Sequence, residues 1–336
     1  MAGRRRDWTD FGWQGMRLRV PDDWNLGRLD GDYRTGYVRL DDAEIVRAEV
    51  EWREGRSRDG SRLSLNSLVD RYLENLAKKA QKTGMRFAAK RDSRFVADQR
   101  WLEGSEHQLF TWEADFRAYN LARACPGCGR VVLLRVLARL EEDLADLAAE
   151  VFSSLEDHPP GDQVFWGVYG MRFSMPAAFT LANSALRSGH LQLTFEEGRQ
   201  VCQVHRLSLA HLLLRGGKLE DWHPFFFKKQ LRDFHVAVSP DQLHGHPGMR
   251  LEGKPRSRWR QVMRPLPWLN PRPRQFVESC AWHCETADKI CVVDYLYRRQ
   301  KDRTDLLQRV IDGYLCHQEQ SEAEPRGDVE LASGAQ

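Results

Sequence analysis

This chain of 336 residues lacks several things, and each absence removes a class of protein. It has no long apolar run. The best stretches, Val131–Leu140 and Leu207–Leu214, are broken by Arg135 and Arg139 or by His211, whereas a helix crossing a bilayer needs about 20 apolar residues. Its start, Met1-Ala-Gly-Arg-Arg-Arg-Asp-Trp8, is charged but has no apolar segment behind it, so no secretory signal is expected. Charge of one sign is missing as well: 51 basic side chains face 48 acidic ones, and a net +3 does not argue for nucleic acid or an anionic membrane. Lysine is scarce, 10 against 41 arginines, so a local cluster of arginine is partly a habit of the whole chain. Phosphate-cradling G-x-G-x-x-G and G-K-[ST] loops are absent, and so is the G-x-S-x-G nucleophile turn. Seven cysteines, an odd number without an export signal, read as reduced thiols in the cytoplasm.

What is present is a repetition. Gly15-Met-Arg-Leu-Arg-Val-Pro-Asp-Asp-Trp-Asn-Leu26 returns as Gly170-Met-Arg-Phe-Ser-Met-Pro-Ala-Ala-Phe-Thr-Leu181, 155 positions later. Gly, Met, Arg, Pro and Leu are kept, and Leu18/Phe173, Val20/Met175 and Trp24/Phe179 stay apolar. Met16, Leu18 and Val20 alternate with Arg17 and Arg19, the period of a half-buried strand, and proline then ends the ladder because it has no N–H to donate. From Phe116/Phe276 onward the copies align at an offset of 160, and Leu147, Val151 and Leu155 recur as Leu307, Ile311 and Leu315.

The expected fold class is α+β: two tandem repeats, each an antiparallel sheet packed with two helices. A basic extension occupies 1–8, the first repeat 9–157, a Pro-Pro-Gly linker 158–162, the second repeat 163–317, and a polar, acidic, disordered tail 318–336. In the first repeat, Gly27 to Gly36 reads as turns, and Tyr37–Leu40 with Ile45–Trp52 as a hairpin. Leu65, Leu68, Val69, Tyr72, Leu73, Leu76 and Ala80 mark the apolar face of a helix over 65–81, with Ser64 to cap it and Gly84 to stop it. Strands are expected at 86–90, 95–102, 107–121 and 131–137, and a second helix at 141–155. In the second repeat, 191–195 and 201–207 replay the hairpin and 222–234 replays the helix, with Pro224 tolerable only in its first turn.

A strand ending in Pro-x-x-Trp/Phe (Pro21/Trp24, Pro176/Phe179), then a hairpin, a helix, further antiparallel strands and a closing helix resembles the PsbP-like superfamily, whose other branch holds Ran guanine-nucleotide release factors. The resemblance spans nearly residues 9–317. It implies a helix-flanked antiparallel sheet used mostly for binding or assembly, and the cysteine turn departs from it. Fold analogy says little about function.

Three stretches carry candidate chemistry. Cys125-Pro-Gly-Cys128-Gly129 has the form of a zinc knuckle, which supplies two of the four ligands a closed site needs. Cys284 and Cys291, bracketing the corresponding hairpin beside His283, are candidates for the other two. The plainer reading is a tight turn with two free thiols, and a redox dithiol would need the motif to open a helix. His244-Gly-His246 reads as a polar loop or, for an enzyme of unfamiliar type, as a source of a general base with Cys128 in a cleft between repeats. Lys254 to Arg274 has no counterpart in the first repeat and holds seven basic residues, five prolines and two tryptophans. Arg256, Arg258, Trp259, Arg260, Arg264, Trp268, Arg272 and Arg274 are candidate contacts to a protein partner, or to nucleic acid through phosphates and stacked bases. The function expected is therefore that of a cytoplasmic, non-enzymatic interaction or scaffold protein, with a zinc-stabilised or nucleic-acid-binding accessory protein as the alternative. No cofactor is expected, zinc being the possible exception.

Overall fold

The computed structural model describes residues 7–56, 61, 63–93, 95–158, 161–256 and 275–317. The fold is α+β and mainly antiparallel sheet. In chain order the first half contains β1 (Trp8–Trp13), β2 (Met16–Pro21), β3 (Asn25–Gly31), β4 (Gly36–Asp41), β5 (Val46–Arg53), α1 (Leu65–Thr83), β6 (Ala88–Arg91), β7 (His107–Glu113), β8 (Arg117–Ala124), β9 (Val131–Ala138), α2 (Ala145–Ser153) and β10 (Glu156–Asp157). The second half contains β11 (Gln163–Val168), β12 (Met171–Pro176), β13 (Thr180–Arg187), β14 (His190–Glu197), β15 (Gln200–Ser208), α3 (Ala210–Leu214), α4 (Leu219–Phe226), α5 (Lys228–Leu231), β16 (Phe234–Leu243), β17 (His246–Pro255), β18 (Phe276–Cys284), β19 (Lys289–Tyr297) and α6 (Leu306–Asp312).

The described residues form three sheets. Two have seven strands, in the orders β3-β4-β5-β9-β8-β7-β6 and β13-β14-β15-β19-β18-β17-β16; the third, β10-β2-β1-β11-β12, lies between the halves. The β1–β2 hairpin meets the β11–β12 hairpin edge to edge at Gly12↔Gly167. A Cβ on Gly12 would lie 2.5 Å from Phe165 Cδ1, and one on Gly167 2.9 Å from the Asp10 carbonyl oxygen, so the join needs glycine on both sides. Trp13 and Trp166 pack edge to face across it, centroids 5.2 Å apart. One continuous core therefore draws on both halves, including Phe11, Trp13, Leu18, Trp166, Phe173 and Met175. Smaller clusters lie under α1 and under α3–α5.

Local chemistry explains most elements. Ser64 accepts a hydrogen bond from the Ser67 N–H at the start of α1, and Gly84 ends it at φ 69° with its N–H returning to the last turn. Other elements differ from the sequence expectation. Asn25–Gly31 is a strand rather than turns, exposed at the sheet edge and bulged between Leu26 and Arg28. The stretch 95–102 contains a single 3-10 turn at Arg100–Leu102 and makes no ladder; it buries Val96 and Leu102. The 107–121 stretch folds back on itself at Ala114–Phe116 to give β7 and β8. The helix expected over 222–234 splits into α4 and α5, with Pro224 inside α4 and unable to donate to the helix ladder. The expected polar loop at His244-Gly245 is the two-residue turn of the β16–β17 hairpin, both residues having positive φ.

The strand pairing does not follow a spacing of 160. Glu156 pairs with Arg17, while Leu315 bridges to Arg172. Arg17 and Arg172 stand 155 apart as read, but Glu156 and Leu315 stand 159 apart. Leu155 is buried and Leu315 is 50% exposed; Tyr314, 1% exposed, fills the place of Leu155. A slip of one residue exchanges the faces of a strand. At 159, Ala122 corresponds to Ala281, both beneath the helices, whereas at 160 it would fall on Trp282 in the central core.

Candidate metal centre

The Cys125–Arg130 turn joins β8 to β9. The Cys125 N–H donates to the Arg130 carbonyl and the Gly129 N–H to the Cys125 carbonyl, each at 2.8 Å. Gly129 adopts φ 74°, which a side chain would strain, and turns the Arg130 N–H onto Cys128 Sγ at 3.3 Å. An N–H directed at a cysteine sulfur stabilises the thiolate form that a metal requires.

The other half of this centre comes from the exit of α2. Strand β10 pairs with β2 and carries Asp157 and His158 back over the turn. His158 adopts φ 64°, in the left-handed region, and its N–H donates to the Gly15 carbonyl at 3.2 Å. Its Nδ1 stands 3.6 Å from both Cys125 Sγ and Cys128 Sγ and 3.3 Å from Asp157 Oδ1. All four donor atoms lie within 4.8 Å of one another. A zinc with bonds of about 2.3 Å to sulfur and 2.0 Å to nitrogen at tetrahedral angles separates S from N by about 3.5 Å. The Nδ1 either accepts one hydrogen bond from a thiol or donates one to the Asp157 carboxylate, so a single hydrogen bond does not account for two thiols and a carboxylate around it.

The surroundings fix these groups. Tyr33 Oη bonds the opposite ring nitrogen of His158, Nε2, the kind of contact that sets tautomer and ring orientation at metal-binding histidines. Arg130 and Asp157 form a buried ion pair, their side chains 3% and 6% exposed. Arg130 also donates to the carbonyls of Gln14 and Tyr33, at 2.9 and 3.1 Å, and lies 4.8 Å from the Tyr33 ring centroid. Asp157 is thus shared between Arg130 and the cluster, which makes it the weakest of the four donors. Burial pushes the Cys128 thiol up from its ordinary range, with Cys125 and Asp157 adding to it. The Cys128 thiol is therefore protonated without metal and loses its proton on binding one.

The four cysteines expected to share a metal fall in three places. Cys125 and Cys128 are in this centre. Cys284 lies in a second group with His246, Cys316 and His317. Cys291 is fully buried beside Tyr314, with its thiol pushed up to about 12 by burial. His158 was assigned to the linker, and Asp157, Cys316 and His317 were not singled out. Their signal was positional: Asp157-His158 and Cys316-His317 follow the closing helices 159 residues apart, as Cys125 and Cys284 do. The enzyme reading does not gather its residues in one cleft. His244 bonds the Ile311 carbonyl at 2.8 Å and His246 faces His317, while Cys128 faces His158 in the other half. Of the candidate partner contacts, Arg256 is described, its N–H donating to the Asp233 carbonyl at 2.8 Å. Arg258, Trp259, Arg260, Arg264, Trp268, Arg272 and Arg274, with the nucleic-acid reading of that stretch, lie outside the described residues.

No helix among the described residues is long and apolar enough to cross a membrane. No protein-family model matches the chain, and no curated protein matches it. Solved structures give matches of low similarity. The solution structure of cyanobacterial PsbP (CyanoP) from Synechocystis has 12% identity and a TM-score of 0.33, covering 46% of this chain and 95% of its own. The T6SS immunity protein TplEi from Pseudomonas aeruginosa, solved in complex with an "L" peptide, has 9% identity and a TM-score of 0.34, covering 91% of this chain and 97% of its own. The apo form of the same immunity protein has a TM-score of 0.31.

Proposed function

We propose that this chain is a non-enzymatic interaction protein of the cytoplasm, built by internal duplication on a PsbP-like plan and stabilised by zinc. The observation that carries the zinc reading is the convergence of Cys125, Cys128 and His158, with Asp157 beside them, from segments about thirty residues apart. Such a site pins the β8–β9 turn to the connection leaving the first half. Its ligands are protein groups on all sides, the form of a structural rather than a catalytic zinc. The internal duplication is supported by the shared strand order of the two seven-stranded sheets and by the Gly-Met-Arg segments on corresponding hairpins. The interaction reading is supported by the sequence from 254 to 274, with its tryptophans among arginines, a composition suited to a protein partner.

Elemental analysis of the full chain, purified without a metal-binding tag, tests the zinc reading. Zinc should be present, and Cys128→Ser should lose one equivalent per chain and melt at lower temperature. An unchanged zinc content in that variant removes this centre from the account. Deleting 256–273 tests the partner arm: folding should be kept and partner capture lost, whereas capture that survives the deletion assigns the partner to another surface.

A further inference from the structure

The cluster formed by His246, Cys284, Cys316 and His317 is built in the same place in the second half. His246 opens β17 and Cys284 closes β18, each two residues beyond the Gly248↔Trp282 pair that joins these strands. Cys316 and His317 follow α6, just past the bridge between Leu315 and Arg172. At an offset of 159, Cys284 corresponds to Cys125, Cys316 to Asp157 and His317 to His158. Lys289 likewise corresponds to Arg130. The environment repeats too: a Cβ on Gly15 would lie 3.8 Å from Arg130 Nη2, and one on Gly170 3.6 Å from Lys289 Nζ.

We propose that this cluster is a second zinc site, a closed Cys2His2 centre distinct from the one at Cys125–His158. His317 Nδ1 stands 3.4 Å from Cys284 Sγ, 3.3 Å from Cys316 Sγ and 3.4 Å from His246 Nε2. All four donor atoms lie within 4.8 Å of one another. Zinc bonded at about 2.0 Å to nitrogen and 2.3 Å to sulfur places tetrahedral donors about 3.3–3.8 Å apart, which these separations meet. Hydrogen bonding is a poorer account, because three groups crowd one nitrogen that accepts a single proton.

The two centres differ in ways that favour the second. Where the first has Asp157, held by Arg130, the second has a thiol, so no donor is shared with a buried cation. The turn residue Cys128 is replaced as ligand by His246 from the neighbouring strand. Cys284 is fully buried, Cys316 6% exposed and His246 9% exposed. Burial pushes the Cys316 thiol up, with Cys284 adding to it, and burial pushes His246 down, with His317 adding to it. His246 is thereby held neutral, as a ligand must be, and the Cys316 thiol releases its proton when the metal enters. Binding should weaken as the pH falls.

Zinc and thiol content, measured on the full chain without a tag, tests this. Two zinc per chain are expected in the parent. One should remain in Cys316→Ser and in His317→Asn, one in Cys128→Ser, and none in the Cys128→Ser/Cys316→Ser double variant. A content that falls in Cys128→Ser but not in Cys316→Ser or His317→Asn overturns the second site and leaves the first standing; the reverse pattern overturns the first alone. A Cys284–Cys316 disulfide, found by mass in protein purified without chelator, also overturns the second site. Should the variants fail to fold, cobalt titration of the chelated parent decides: two equivalents giving tetrahedral visible bands are expected, and saturation at one equivalent with Cys284 and Cys316 still open to alkylation overturns the second site.

Discussion

Beneath its helices each seven-stranded sheet buries one polar group on its central strand, and the two choices have opposite charge. In the first half Arg135 bonds Tyr72 of α1 at 2.9 Å and pairs with Glu49 at 3.0 Å and with Glu51. In the second half Asp294 occupies the corresponding place, facing His205 at 3.4 Å and His223 of α4 at 3.9 Å. Burial alone would raise the Asp294 carboxyl; the hydrogen bond and charge of His205, helped by His223, hold it low. His223 also meets Ser279 Oγ at 3.1 Å, and His190 meets His205 at 3.0 Å. Burial lowers His223, and burial with the neighbouring His205 pushes His190 down to about 4. Histidine in an unfolded chain titrates near about 6.5, so between that value and about 4 the unfolded state binds protons that the native state refuses. The stability held by neutral His190 and His223 is present above this window and is lost as the pH falls through it. Urea unfolding with chelator present, so that metal release plays no part, should show stability falling from pH 7 to pH 5. The slope should be shallower in His190→Gln; an equal slope in that variant would place the acid sensitivity elsewhere.

Among the elements, the central β1–β11 join is the most sensitive to small changes. Gly12→Ala puts a methyl group against Phe165 and the backbone of β11, and overpacking of this kind costs about 1–3 kcal/mol. A lower melting temperature is expected. The surface change Gly189→Ala, where nothing lies within 4 Å, should cost less and act only through the positive φ of that turn. Much at this scale was legible beforehand. The α1 helix showed its period, cap and stop, and the Met16–Pro21 and Met171–Pro176 strands showed their alternation. The edge strand β3 was hidden because glycine and aspartate are ordinary turn residues, and it is exposed enough to carry them. The candidate site was half legible. Cys125 and Cys128 announce themselves by spacing, but their imidazole comes from a residue that local sequence assigns to a linker. The second cluster was hidden because its four residues come from β17, the end of β18 and the segment after α6, which no local spacing links. Spacing reveals ligands that share a turn; ligands brought together by strand pairing need the register.

At the scale of the molecule, the central sheet and the core across it join the halves into one body. The main cluster mixes Trp13, Leu18 and Leu147 of one half with Trp166, Phe195 and Tyr314 of the other. Neither half completes that core alone, so calorimetric unfolding of the full chain should give a single transition, with equal van't Hoff and calorimetric enthalpies. Two separated peaks would mean that the halves hold themselves up independently. The same join bears on how the protein is made. Synthesis runs from the N-terminus, and β1 reaches its place about 150 residues before β11 exists to cover its edge. Throughout that interval the nascent chain presents an open strand that carries Phe11 and Trp13, which are 5% and 2% exposed once folded. An uncovered edge of this kind templates pairing with any strand that arrives, including β1 of a neighbouring nascent chain on the same message. Gly12 admits such a partner as readily as it admits Gly167, so the fidelity of assembly depends on the second half being translated before two first halves meet.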